Sequence, residues 1–432
     1  MAQAAPMRRV SRIVSAMMQG QVGGSGGLPP WWTLKGIKPA APDKDMGGWT
    51  AIQFSEVQQA FFGCSADGVV TDQAKHDAAF SVPIGKRYNA SFQQTMLRIK
   101  DPKESVPFYC DNFGMKLVHE YHFPEFKFSL YFLERPRDGQ VLPQKVPSDE
   151  SEKYLWTMPG ATIELTHNHG SETNPDFKVW SGNQGRDLPA DDPKYWADGP
   201  VRGFGHIAFN VDDVYATSAK LEEAGVKFQK KPDEGRMKGL AFALDPDGYW
   251  IEIVAREKGL FSEYCNLSQT MMRVKDFQAS IRFYSDIMGM SMCREMTIPN
   301  DFTNFFMACL SDEERVAAPD PKSPDAKVFV KKLWQPVLEL THNHGTEKDE
   351  TFQVHTGNGD PSEWQGFGHI GYLVDDLDSC CRDMEAMGVP FFKKPQDGKM
   401  HNIAFALDPS GYRVELIGRA TVVDPSLRAP YP

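Results

Sequence analysis

The string Glu164-Leu165-Thr166-His167-Asn168-His169-Gly170 returns as Glu339-Leu340-Thr341-His342-Asn343-His344-Gly345. Around it, Gln94-Thr95-Met96-Leu97-Arg98 recurs as Gln269-Thr270-Met271-Met272-Arg273, and Gly203-Phe204-Gly205-His206-Ile207 as Gly366-Phe367-Gly368-His369-Ile370. A repeat this long predicts tandem copies of one folding unit. Gln94 and Glu164 recur after 175 residues, whereas His206 and Glu252 recur after 163. Each copy therefore keeps register in its two halves and differs between them, in the polar, Pro-rich stretch from Asn174 to Pro200. Such a stretch is expected on the surface.

Each half copy has one layout. An alternating strand over Gln94 to Lys100 precedes a helix opened by Asp101-Pro102, with proline at a helix-start position. Apolar-aromatic strands at Phe126 to Leu133 and a closing strand at Ala161 to Thr166 follow. The second half repeats the order: His206 to Val211, a helix over Asp213 to Ala224, Val226 to Lys230, Leu240 to Leu244, an Asp-Pro-Asp-Gly turn and Tyr249 to Val254. The pattern predicts an α+β class with four βαβββ modules, in repeats spanning 91–258 and 259–418. A tail occupies 419–432.

Residues 1–46 have no acid before Asp43 and carry Arg8, Arg9 and Arg12 off an apolar helical face, the pattern of an organelle-targeting segment or of a disordered extension. Residues 47–90 form an accessory segment expected to pack on the first repeat. The net charge of −11 disfavours nucleic acid or an anionic membrane as partner. No apolar run approaches the roughly 18 residues of a membrane span. Seven cysteines without C-x-x-C spacing fit free thiols in a reducing compartment, so a soluble, cytoplasmic protein is expected.

Strand alternation decides which side chains meet. Gln94, Met96 and Arg98 share one face, and Glu164 shares another with Thr166 and, if the strand extends so far, Asn168. A glutamate flanked by Ile163 and Leu165, and another flanked by Ile251 and Ile253, are costly inside a sheet unless their charge is compensated. Glu339 and Glu415 repeat the anomaly, and a divalent cation is the economical compensation. Gln, two Glu and one His offer three oxygens, one nitrogen and no thiolate, a composition for an open Lewis-acid site that zinc, nickel, cobalt, iron or manganese would satisfy. His167, His169, His342 and His344 fall on the opposite face and are expected in loops or at the surface.

The motifs Gln-Gln-Thr-Met-Leu-Arg, Glu-Leu-Thr-His-Asn, Gly-Phe-Gly-His-Ile and Asp-Pro-Asp-Gly-Tyr-Trp-Ile-Glu resemble those of glyoxalase I (lactoylglutathione lyase), a family of the vicinal oxygen chelate fold, in its fused two-domain form. The resemblance implies that the four modules form two curved mixed sheets, with sites shared between repeats: Gln94, Glu164, His369 and Glu415 in one, and Gln269, Glu339, His206 and Glu252 in the other. It also implies isomerisation of the methylglyoxal–glutathione hemithioacetal to S-D-lactoylglutathione through an enediolate. Glu415 and Glu252 would be the principal bases, with Glu164 and Glu339 opposite them. Glutathione would be held by Arg98, Asn168, Lys393 and Lys399 at the first site, and by Arg273, Asn343, Arg202, Lys230 and Arg236 at the second.

Two departures predict unequal sites. Gln365 stands where the other copy has Arg202, removing an anion anchor from the Gln94 site. The stretch Asp301 to Met307 is more polar than Phe126 to Phe132. Met237, Leu240 and Phe242, or Met400, Ile403 and Phe405, would line the substrate's methyl end, and the Gln269 site is expected to bind more tightly. The long segment before the Glu strand resembles zinc-type enzymes, so the implied cofactor is Zn2+, with Ni2+ as alternative. One chain holding both halves of each site implies a monomer.

Overall fold

The computed structural model describes residues 82–183, 202–235, 237–349, 352–358, 365–397, 400 and 402–419. The amino-terminal segment, Arg236 and Lys399 lie outside them. The first module runs β1 (Ser91–Ile99), α1 (Pro102–Phe113), β2 (Lys116–Phe123), β3 (Phe128–Glu134) and β4 (Thr162–Asn168). The second comprises β5 (Phe204–Val211), α2 (Val214–Glu223), β6 (Phe228–Lys230), β7 (Leu240–Leu244) and β8 (Trp250–Ala255). The third is β9 (Cys265–Arg273), α3 (Phe277–Arg282), β10 (Ser291–Ile298), β11 (Phe302–Ala308) and β12 (Val337–Asn343). The fourth is β13 (Phe367–Val374), α4 (Leu377–Ala386), β14 (Phe391–Lys393), β15 (Ile403–Leu407) and β16 (Arg413–Gly418).

All four module helices start the same way. Asp101, Asp213, Asp276 and Asp376 each accept a hydrogen bond from a backbone N–H of the first turn, which would otherwise lack a partner. Gly114, at φ 64°, ends α1 in the left-handed conformation glycine adopts without penalty.

The sheets do not follow the sequence repeats. One has the order β14-β15-β16-β13-β1-β4-β3-β2, the other β10-β11-β12-β9-β5-β8-β7-β6. The first and fourth modules join through the antiparallel pair β1–β13, the second and third through β5–β9. Every sheet thus contains one module from each repeat, and pairing is both parallel and antiparallel.

The inner faces of the sheets meet in one apolar core. Phe204 stacks on Phe367, its counterpart, with ring centroids 5.0 Å apart, and Phe113 stacks on Phe209 at 4.2 Å. Asp245 of the Asp-Pro-Asp-Gly-Tyr turn accepts from the Tyr109 hydroxyl at 2.8 Å, and Tyr249 donates to the Arg98 carbonyl at 2.9 Å. Asp408 with Tyr284 and Tyr412 with Arg273 repeat both bonds. The turn motif is therefore a brace from one sheet to the other.

Three expectations need correction. The strands placed over Phe126 to Leu133 are a single strand, β3; its partner β2 lies earlier, over Lys116–Phe123, before a turn at Pro124–Phe126, and its mixed polarity hid it. His167 and His342 are buried rather than superficial, and Glu172 and Glu347 accept from their ring nitrogens at 2.8 and 2.9 Å and tie down the following turns. Only His169 and His344 are exposed. Finally, the described end of the accessory segment packs on the second repeat: Arg87 pairs with Asp383 at 2.7 Å, and a Cβ on Gly85 would meet the Met288 carbonyl.

Candidate metal centres and the cavity over one of them

On β1, Gln94 faces away from the core, and Gly371 of β13 is its register partner. Glu164 enters from β4, next to β1 in parallel pairing, while His369 and Glu415 enter from β13 and β16. The Gln94 Nε2 lies 2.6 Å from Glu164, 2.7 Å from Glu415 and 3.2 Å from the His369 Nε2. His369 Nε2 is 3.2 Å from Glu164 and 3.0 Å from Glu415. All four residues are buried.

Two carboxylates gathered in buried space call for positive charge. Gln94 Oε1 is buried without a hydrogen-bond partner. Amide oxygen and nitrogen exchange places on a half-turn of the side-chain amide, and that turn would aim Oε1 at the same point as the carboxylates and imidazole. The donor set then fits a divalent cation of the zinc or nickel type.

The second cluster repeats the first. Gln269 Nε2 lies 2.5 Å from Glu252 and 3.3 Å from His206, and the His206 ring nitrogen is 3.4 Å from Glu252 and 3.6 Å from Glu339. Burial disfavours a charged imidazole, yet hydrogen bonds and charge from the two glutamates outweigh it, pushing His206 up to about 9. Burial against Glu415 and Glu164 leaves His369 likewise at about 9. Burial also raises Glu339 and Glu415 above the usual carboxylate range. A cation in either cluster would relieve the same electrostatic tension between buried carboxylates.

Not every ligand-capable residue sits alike in the two clusters. Asn304, on β11, donates to Glu339 and accepts from Thr341 at 3.0 Å. In the first cluster Thr166 itself reaches Glu164, at 3.3 Å. Sequence reading missed Asn304 because the turn before β11 is one residue shorter than its counterpart, which displaces the residue-by-residue match.

The expected anchors are spread along the same faces. Arg98 donates to the Gly357, Gly366 and Phe367 carbonyls and to Asn358 at 3.2 Å, and Arg273 donates to Asn183 at 2.9 Å. Asn183 and Asn358 thereby orient the two arginines, and both follow a positive-φ glycine. The paired Gly-Asn dipeptides at 182–183 and 357–358 were the available signal. Asn168 and Asn343 end β4 and β12 on the glutamate faces. Lys230 is turned toward the Leu240 carbonyl and Lys393 toward those of Met400 and Ile403.

Over the Gln269 cluster lies a cavity of about 380 Å³. His206, Glu252, Gln269 and Glu339 form its floor, and Arg202, Arg273 and Asn343 stand at one end. Met237, Leu240 and Phe242 supply apolar wall.

The chain matches the model of the Glyoxalase/Bleomycin resistance protein/Dioxygenase superfamily over residues 91–253 and again over 266–416. It is 40% identical over 335 residues to the glyoxalase I of Saccharomyces cerevisiae, covering 75% of this chain and 90% of that one. The chain belongs to the glyoxalase I family. The lactoylglutathione lyase of Schizosaccharomyces pombe is also 40% identical, over 75% of this chain and 94% of its own. The solved glyoxalase I of Zea mays superposes with a TM-score of 0.53 at 22% identity, covering 80% of this chain and 99% of that one, a likeness of fold. Glyoxalase I enzymes depend on a metal, and the two clusters are the groups in this chain able to hold one among the described residues.

Proposed function

We propose that the chain is a lactoylglutathione lyase with two metal centres, Gln94/Glu164/His369/Glu415 and Gln269/Glu339/His206/Glu252, acting on the methylglyoxal–glutathione hemithioacetal. The observation that carries this reading is the convergence, twice, of one glutamine, one histidine and two glutamates from both repeats on one buried point. When bound, a zinc ion would supply Lewis-acid stabilisation for negative charge developing on the substrate's two neighbouring oxygens; nickel is the alternative.

The residues themselves perform the rest. Glu415 and Glu252 would take the proton at C1 and return it at C2, with Glu164 and Glu339 opposite them. Burial raises Glu415 above the usual carboxylate range, which makes it a stronger base than a carboxylate in water. Arg273, Asn343 and Arg202 would hold glutathione's carboxylates at the second site, joined by Lys230 and Arg236; Arg98, Asn168, Lys393 and Lys399 would do so at the first. Gln365 in place of an arginine supports weaker binding at the Gln94 site.

Both halves of each centre come from one chain, which supports a monomer. The six described cysteines are free, supporting a reducing compartment such as the cytoplasm. No helix among the described residues is long and apolar enough to cross a membrane.

The test is lactoylglutathione formation from methylglyoxal and glutathione after chelation and after restoring zinc or nickel. Loss on chelation and recovery with the ion is expected. Turnover indifferent to chelation, or none with any ion, would sink the reading.

A further inference from the structure

The two sites differ in the wall beyond the metal cluster. Sheet register gives the correspondence: Phe128 pairs with Asn168 and Phe302 with Asn343, so Leu130 in one site answers to Asn304 in the other. His119 pairs with Phe132 as Arg294 pairs with Phe306. Leu373 and Asn210 each stand four residues beyond the cluster histidine.

At the Gln94 site this wall is buried and apolar. Phe132, Trp156, Leu373 and Ile417 form a buried cluster against which Leu130 and Tyr121 pack. The helix Asp149–Leu155 covers it, fixed by His119 to Ser151 at 2.6 Å and Tyr121 to Glu152 at 2.7 Å, and carries one lysine against three acids.

At the Gln269 site the same wall is open and cationic. Arg294, Asn304, Asn210, Lys327 and Lys331 line the cavity. Lys327 and Lys331 come from the helix Pro324–Lys332, with three lysines against one aspartate. Arg294 lies over the Phe306 ring, 5.2 Å from its centre, and Lys331 donates to the Ala255 carbonyl at the end of β8 away from Arg273. Among the described residues none of the three cations is ion-paired with a carboxylate. Burial and mutual repulsion with Lys327 and Arg294 lower Lys331. The glutamate pair does not account for these cations, since the Gln94 site holds an equivalent pair without them.

Resting on the function proposed above, we infer that the Gln269 site selects glutathione adducts of 2-oxoaldehydes whose substituent bears a carboxylate, received by Arg294, Lys327 and Lys331, while the Gln94 site takes apolar substituents. Arginine with two lysines at one end of a cavity matches a carboxylate in charge and geometry. Asn304 and Asn210 replace leucines that an ionised chain would have to cross.

The experiment is calorimetric titration of the full-length, zinc-loaded protein with two stable conjugates of equal length, S-(3-carboxypropyl)glutathione and S-butylglutathione. The carboxylate conjugate is expected to bind one site about tenfold more tightly than the butyl conjugate, with a preference that shrinks as salt rises. In Arg294→Gln, and in Arg294→Gln with Lys327→Met and Lys331→Met, the affinity ratio should fall stepwise toward one. Equal affinities in the wild type, or a ratio that survives the triple substitution, would overturn the inference and leave the lyase reading intact. If neither conjugate binds, the glutathione reading falls and takes this one with it.

Discussion

Thr95 Oγ1 and Thr270 Oγ1 lie 2.6 Å apart, although 175 residues separate them in the chain. They are the same position in the two copies, so the approximate two-fold relation between the repeats passes between them. Their neighbours Gln94 and Gln269, one residue earlier, point to opposite outer faces by strand alternation. One bond in the core therefore joins the strands that carry both candidate metal clusters, back to back.

Because the clusters sit on separate faces, they should be separable by mutation. Glu252→Gln and Glu415→Gln are each expected to abolish one site, lowering its turnover about 10²–10⁴-fold, while the other continues. Steady-state rates of lactoylglutathione formation should show two different residual KM values, and the double variant should be inactive. A single substitution that removes all activity would mean only one site works.

Gly371 offers a second asymmetry. A Cβ there would meet Gln94 Cγ at 2.5 Å, yet the equivalent position in the other copy is Ala208. Gly371→Ala should displace Gln94 and weaken zinc at that centre roughly 10–100-fold. Competition with a chromophoric chelator should then report one tight and one weakened ion; two unchanged ions would contradict the placement.

The brace between sheets makes a stability prediction. Tyr249→Phe removes the hydroxyl that donates to the Arg98 carbonyl and should cost about 0.5–1.5 kcal/mol. Tyr412→Phe should cost a similar amount at Arg273. Urea unfolding of each variant measures this, and because Arg98 lies at the Gln94 site, Tyr249→Phe should raise the KM of that site in the Glu252→Gln background.

Asp245 makes a prediction about pH. Burial, with the charge of Asp247 beside it, pushes its carboxyl from 3.8 up to about 7, and burial takes Asp408 to about 6. A carboxyl raised in the native state binds more protons folded than unfolded, so its stabilising contribution is complete below its unfolded value and is lost as pH climbs through the native one. Comparing urea midpoints at about pH 5 and pH 8, the wild type should lose stability relative to Asp245→Asn on going to the higher pH. A difference that stays constant, or grows in the wild type's favour, would refute the protonated state.

Much of this was legible in the residues because the chain contains its own comparison. Strand alternation put Gln94 with Arg98 and Glu164 with Asn168 on shared faces, and apolar neighbours on both sides marked Glu164, Glu252, Glu339 and Glu415 as buried charges needing a partner. Those inferences depend on a two-residue period and on the expense of burying charge, both local properties.

Local properties ended where the sheets began. Nothing in the order of modules states that β1 pairs with β13 and β5 with β9; hydrogen bonding between strand edges and burial of Thr95, Thr270, Phe204 and Phe367 between the sheets do. The repeat determined what each copy contributes to a site, while the packing of the two copies decided that neither completes a site alone. The same holds for Arg294, Asn304 and Lys331. Each is an ordinary polar residue in sequence, and only the shorter turn before β11 and the position of the helix Pro324–Lys332 bring them to one cavity.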